Sequence, residues 1–218
     1  MKNRFTCALL AMILFLPWVS HAGIRISPIN ITMEPGERSA TVRVTNEDKA
    51  REKKVQISAY KWSQTLNEHM LLGDTRNIAI FPPITTLAPG ETQIVRVMLR
   101  KPTPGSYRLR FAELPDKNAQ KVQTLLSITM PLFVESKSWQ PVMSYVATRT
   151  GRGISLRATN TGKAYDRIQA VVIGDKRRGM NSYILSESVQ NIFIPDNSSY
   201  NRSMLIVTDH GEQRVQIN

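Results

Sequence analysis

Two four-residue stretches constrain this chain more than any others: Glu34-Pro35-Gly36-Glu37 and Ala88-Pro89-Gly90-Glu91. In each, proline presets the second turn position, and glycine supplies the positive φ that the third position of a type II turn requires. Each leads within a few residues into Val-Arg-Val, at 42–44 and at 95–97. Two such turns ahead of alternating β-branched runs predict two hairpin starts of one sandwich. The strand-like runs are 24–33, 39–46, 54–62, 92–100 and 106–112, the first four rich in Val, Ile or Thr and the last in Tyr, Leu and Phe. No useful length of chain repeats its apolar residues at helical spacing. The expectation is an all-β chain, with sandwich architecture and Greek-key connections.

Past Glu135 the composition changes. Ser136-Lys137-Ser138-Trp139-Gln140-Pro141 reads as a short linker, and a second strand set follows at 143–149, 153–159, 165–173, 182–185, 191–194 and 203–207. Thr150-Gly151-Arg152-Gly153 and Asn160-Thr161-Gly162 mark turns between these runs. At the other end, Lys2 and Arg4 precede an uncharged, mostly apolar stretch from Phe5 to Val19, then the small-x-small triplet Ser20-His21-Ala22. That is the pattern of a cleaved secretory signal. The expected organisation is a signal peptide at 1–22, one sandwich at 23–136 and a second at 137–218. Cys7, the sole cysteine, leaves with the signal, so disulfide-stapled and thiolate–metal folds are excluded.

The chain has 29 basic and 17 acidic residues; the signal takes two of the basic ones, leaving a net charge of +10. Basic residues cluster at Lys53-Lys54 and Lys176-Arg177-Arg178, without interleaved aromatics, so a solvated basic surface is expected and nucleic-acid binding is not. His69 and His210 are the only histidines outside the signal and stand far apart, so no metal is expected. No phosphate-binding glycine loop, nucleophile elbow or placeable carboxylate pair occurs, and the chain reads as a non-enzyme without a cofactor.

The run 122–136, VQTLLSITMPLFVES, is harder to explain in a soluble protein. Its even positions Val122, Thr124, Leu126, Ile128 and Met130 form an apolar row with one threonine, and its odd positions are mixed. Pro131 argues for an edge, because proline donates nothing to a ladder. An apolar edge strand is an aggregation hazard unless something uses it.

Several blocks in order resemble the periplasmic chaperones of chaperone–usher pilus systems, the PapD-like family. They are Ile26-Ser27-Pro28; Glu34-Pro35-Gly36-Glu37 into Val42-Arg43-Val44-Thr45-Asn46; and Tyr60-Lys61-Trp62-Ser63-Gln64. Then come Phe81-Pro82-Pro83; Leu87-Ala88-Pro89-Gly90-Glu91 into Val95-Arg96-Val97; Tyr107-Arg108-Leu109 through Glu113-Leu114-Pro115; and Met130-Pro131-Leu132-Phe133-Val134. The resemblance covers about residues 24–136. In the second half only Asn160-Thr161-Gly162 and Asp209-x-Gly211 match.

The resemblance implies two immunoglobulin-like β-sandwich domains set at an angle, working in the periplasm. Such a chaperone binds pilus subunits whose Ig-like fold lacks a strand, lends its own G1 strand, here 122–132, and delivers the subunit to an outer-membrane usher. It implies a subunit-binding row of Val122, Thr124, Leu126, Ile128 and Met130. An unloaded chaperone of this kind can also cap its edge with a second copy, as a homo-oligomer. The best-known branch clamps the subunit's terminal carboxylate with an arginine and a lysine, but those places hold Asn30 and Pro131 here. The Tyr-Arg-Leu and Met-Pro-Leu-Phe wording is closer to the archaic branch, which makes Arg108 the expected carboxylate anchor. Glu113 and Asp209 match acidic members of an interdomain polar network, whereas Glu135 stands where that network has a base. The alternative class is a secreted pilus subunit or adhesin built of Ig-like domains. It is disfavoured because the chain has neither an N-terminal donor extension nor a cysteine pair.

Overall fold

The computed structural model describes residues 23–65, 70–116, 122–197 and 201–218, and all their regular structure is β. The predicted signal at 1–22 and His69 lie outside the described residues. Four sheets make two immunoglobulin-like sandwiches. In the first, β1 (Ile24–Ser27), β3 (Ser39–Asn46), β8 (Thr92–Leu99) and β6 (Ile78–Phe81) lie side by side in that order. They pack on a sheet ordered β2 (Ile31–Met33), β10 (Ser127–Val134), β9 (Gly105–Glu113), β4 (Lys53–Gln64) and β5 (Met70–Asp74), with β7 (Ile84–Leu87) also paired to β4. The second sandwich has β11 (Met143–Thr150), β12 (Gly153–Asn160) and β15 (Ser188–Pro195) in one sheet. Its other sheet is ordered β14 (Lys176–Ile184), β13 (Asp166–Ile173), β16 (Ser203–Thr208) and β17 (Gly211–Gln216).

Alternation builds both cores. Val42 and Val44, Val55 and Ile57, Val95 and Val97, and Leu109 and Phe111 turn inward at every second residue in the first sandwich. Ile154, Leu156 and Ala158 do so in the second, against Ile168, Val171, Met204 and Ile206. Each core also holds one buried asparagine at a strand end. The Asn46 amide donates to the carbonyls of Arg51 at 2.8 Å and Leu87 at 3.1 Å; that of Asn160 donates to Ala164 at 2.7 Å and Leu185 at 3.0 Å. Carbonyls left over where a strand meets a loop are costly when buried, and one amide satisfies several of them.

Three expectations change. The run 24–33 is two strands in different sheets, β1 antiparallel to β3 and β2 parallel to β10. The buried residues explain the break: Ile24 and Ile26 are even, Ile31 and Met33 are odd. One straight strand would put the two pairs on opposite faces, so the chain crosses the sandwich at Pro28 and both pairs reach the core. The two Pro-Gly turns form as expected, with Gly36 at φ 103° and Gly90 at φ 76°. In each, the closing glutamate's carboxylate accepts from the first residue's N–H, at 2.9 Å for Glu34 and 2.7 Å for Ala88. They are not hairpin turns, however, because each joins strands of opposite sheets, β2 to β3 and β7 to β8. Finally, the strand containing Met130 starts at Ser127 rather than Val122.

Candidate functional site: the open edge of β10 and the cleft beside it

β10 pairs along its whole length with β9, from Ser127↔Ala112 to Val134↔Gly105. On its other side β2 accompanies it only at Leu132–Val134. Among the described residues, no strand lies beside 127–131 on that side. Hydrogen-bond direction follows from the two ends. The Glu113 N–H donates to the Leu126 carbonyl at 2.8 Å on the β9 side, and the Glu135 N–H donates to Met33 at 3.0 Å on the β2 side. Main-chain groups alternate sides along an antiparallel pair, so those of Ser127, Thr129 and Pro131 face the open side. Pro131 therefore lacks its N–H where no described strand would accept it.

The side chains divide differently. Even positions of β10 point into the first sandwich: Met130 is 3 % exposed within the core, and Ile128 packs partly buried against it. Neither side chain is freely offered to a partner, which shortens the expected row of five. Upstream of β10, Val122 is fully exposed, Leu125 is 42 % and Leu126 39 % exposed, and Thr124 is also exposed. The accessible apolar side chains thus lie in 122–126, which is not a strand, and they include Leu125 from the odd row.

The opposite face of the β10–β9–β4 sheet carries the cleft between the sandwiches. Trp62 and Phe133 from the first sandwich meet Tyr165, Tyr183 and Leu185 from the second in a separate apolar cluster. Phe133 stacks on Tyr165 at 3.6 Å between centroids and 16° between planes, and Trp62 meets Tyr183 edge-on at 5.7 Å. Gln64 ties the same junction: its amide donates to the Tyr183 carbonyl at 3.0 Å, and its oxygen accepts from the Leu185 N–H at 3.0 Å and the Ser188 hydroxyl at 3.1 Å.

Arg108 lies on this face, opposite Pro131 on one side and Tyr60 on the other. Its guanidinium sits 3.7 Å from the centre of the Trp62 ring. No described carboxylate pairs with it, and burial pulls it below its ordinary basicity. A half-buried cation stacked on an aromatic, with no described carboxylate beside it, keeps its guanidinium donors available to an anion. Two residues on, Arg110 faces the same way and reaches the Ser127 hydroxyl at 3.3 Å, at the start of the open edge. The sequence offered no reason to separate Arg110 from the other strand-face arginines.

Glu113 and Asp209, the acidic members expected in an interdomain polar network, lie apart. Glu113 lies at the far end of β9, where its carboxylate meets Lys53 at 2.6 Å and takes no part in the junction. Asp209 pairs with Arg167 of its own sandwich at 2.9 Å. Burial works against its ionisation, but hydrogen bonds from Arg167 and Gln169 prevail and hold it below the usual carboxylate range. Arg167 in turn lies 5.8 Å over the Tyr183 ring and so links Asp209 to the cleft. Glu135 borders a junction cavity of about 330 Å³ with Glu34, Lys137, Lys163, Tyr165 and His210. Burial and then the neighbouring Glu34 push its pKa up, against the opposing effect of His210. The bridging that the resemblance assigned to charges is done here by aromatic stacking and by Gln64.

Two Ig-like sandwiches joined by an aromatic cluster thus carry an open strand edge beside a cleft that holds Arg108. Residues 23–139 match the family described as pili and flagellar-assembly chaperone, PapD N-terminal domain, and the chain belongs to that family. That family is described as one of assembly chaperones. Among curated proteins none matches the chain. Several solved structures share the fold. One is the CsuC–CsuE chaperone–tip adhesion subunit complex of archaic Csu pili from Acinetobacter baumannii, with 22 % identity, TM-score 0.68, and 90 % of this chain and 100 % of that one covered. The SafB chaperone with the SafA pilin of Salmonella enterica matches at 13 % identity and TM-score 0.62, over 89 % and 96 % of the two chains. The Pseudomonas aeruginosa CupB2 chaperone matches at 13 % and 0.57, over 89 % and 100 %.

Proposed function

We propose that this chain is a periplasmic chaperone that completes pilus subunits lacking a strand and passes them to an outer-membrane usher. The observation that carries the reading is the open main-chain edge at Ser127–Pro131, continued upstream by the exposed Val122, Leu125 and Leu126. A subunit missing a strand exposes unpaired main-chain groups and an apolar groove, both costly in water. The open edge supplies partners for the first and the 122–126 side chains fill the second. Full burial of Val122 and Leu126 contributes roughly 1.5–3 kcal/mol each before association costs. Met130 and Ile128 act by holding the strand to its own core. Arg108 receives the subunit's terminal carboxylate, with Arg110 the nearest second cation. The captured subunits named in the Csu and Saf complexes indicate the class of partner. An unloaded molecule can bury the same edge against a second copy.

Co-expression with a subunit from the same gene cluster tests this. Leu126→Glu and Val122→Glu together should lower recovered subunit about tenfold or more, while the chaperone's circular dichroism and melting stay unchanged. Undiminished recovery overturns the reading.

A further inference from the structure

At its upstream end β10 is closed by a side chain rather than by another rung of its ladder. Leu126 stands opposite Glu113, and continued antiparallel pairing would have the two exchange both main-chain bonds. One of them forms, from the Glu113 N–H to the Leu126 carbonyl at 2.8 Å. For the other, the Leu126 N–H donates at 3.3 Å to Oε2 of the Glu113 side chain. Oε1 of the same carboxylate meets the Lys53 ammonium at 2.6 Å, with about a tenth of either side chain exposed. Three residues upstream a second substitution occurs. The Gln123 amide grips the main chain of Asp116 from both ends, accepting from its N–H at 3.0 Å and donating to its carbonyl at 2.8 Å. Residues 122–125 form no main-chain hydrogen bond to any described residue.

From this geometry we propose that Glu113, fixed by Lys53, is a positioning residue that sets where the lent segment leaves its own sheet. The inference rests on the strand-lending reading above. If the ladder ran on through 125 to 122, those main-chain groups would be engaged by the chaperone itself. If it ended earlier, Ser127 and Thr129 would fray and the open edge would lose its backing. The carboxylate stops the ladder at Leu126 and still satisfies that residue's N–H, and Lys53 holds the carboxylate in place. Gln123 keeps the freed segment lying along 113–116, with its apolar side chains outward, through two bonds that a partner strand can displace one at a time.

The test separates positioning from folding and from strand lending itself. Amide exchange is measured on the free full-length mature chaperone, and subunit capture is measured alongside. Glu113→Ala should speed exchange at the Leu126 amide about tenfold or more, with the core amides of Val95 and Leu109 unchanged, and should lower capture. Because that variant strands Lys53 without its anion, the double variant Lys53→Met, Glu113→Gln provides the control. It removes both charges and keeps an acceptor for the Leu126 N–H, so it should restore Leu126 protection and capture to near wild type. Unchanged Leu126 exchange in Glu113→Ala overturns the proposal, as does a double variant that exchanges as fast as Glu113→Ala. If capture instead survives the Val122 and Leu126 glutamates, the strand-lending reading has failed; amide exchange still decides whether Glu113 closes the ladder.

Discussion

Arg108 owes its place to strand parity. Its neighbours Tyr107 and Leu109 point into the first core, so the arginine must point to the opposite face, where Trp62 receives it. The stack orients a planar fork that can grip a carboxylate through two parallel bonds. A lysine keeps the charge but neither stacks as well nor forks. The prediction uses two peptides copying a subunit's C-terminus, one ending in the free acid and one in the amide. The wild type should bind the acid more tightly, Arg108→Lys should retain part of that preference, and Arg108→Ala should bind both equally. An unaltered acid preference in Arg108→Ala would move the anchor elsewhere, with Arg110 next to examine. Stability should fall modestly in Arg108→Ala, since a cation over a ring contributes about 0.5–2 kcal/mol.

At the scale of the strand, β10 serves two masters through its two edges, and proline can tell them apart. Thr129 directs its N–H to the open side and Ile128 to β9. Thr129→Pro should leave the free chaperone within about 1–2 kcal/mol of wild-type stability yet weaken subunit capture, as Pro131 already shows that this side tolerates the residue. Ile128→Pro removes a ladder bond within the sheet and should destabilise the chaperone by about 3 kcal/mol or more in chemical denaturation. Equal stability losses would mean that the two edges are not distinct. This distinction was only half legible in the sequence. Pro131 announced an edge, and the two-residue period located the apolar row, but period alone does not say whether that row faces its own core or a partner. Met130 turned out to be core, and Leu125 joined the exposed set because the strand ends before it. The parity slip between Ile26 and Ile31 was readable in principle, since a buried set that changes from even to odd cannot lie on one straight strand. Glu113 was beyond reach: its meeting with Lys53, sixty positions away, depends on the pairing of β9 with β4.

On the scale of the whole molecule, the two sandwiches share a junction made of rings, one glutamine and a cavity lined by Glu34, Glu135, Lys137, Lys163 and His210. Glu34 follows β2, Glu135 follows β10, and His210 comes from the second sandwich, with its Nδ1 3.0 Å from Asp166. Burial and Glu34 raise the Glu135 pKa above its ordinary value of 4.5. A carboxyl whose folded pKa is raised ionises less readily in the folded protein than in the unfolded chain. This group therefore disfavours folding increasingly as the pH rises past 4.5 and fully above its folded pKa, and has no effect well below 4.5, where both states are protonated. Glu135→Gln should accordingly raise the melting temperature at pH 7.5, with the gain shrinking as the pH falls and vanishing near pH 4. The effect will be small, because the group is only half-buried. A gain of equal size at both pH values would show that packing rather than charge is responsible, and a loss at pH 7.5 would show that the ionised carboxylate has a partner across the junction. Either way the variant reports on the joint itself, since Glu135 sits two residues past the Phe133 ring that stacks on Tyr165 and couples one sandwich to the other.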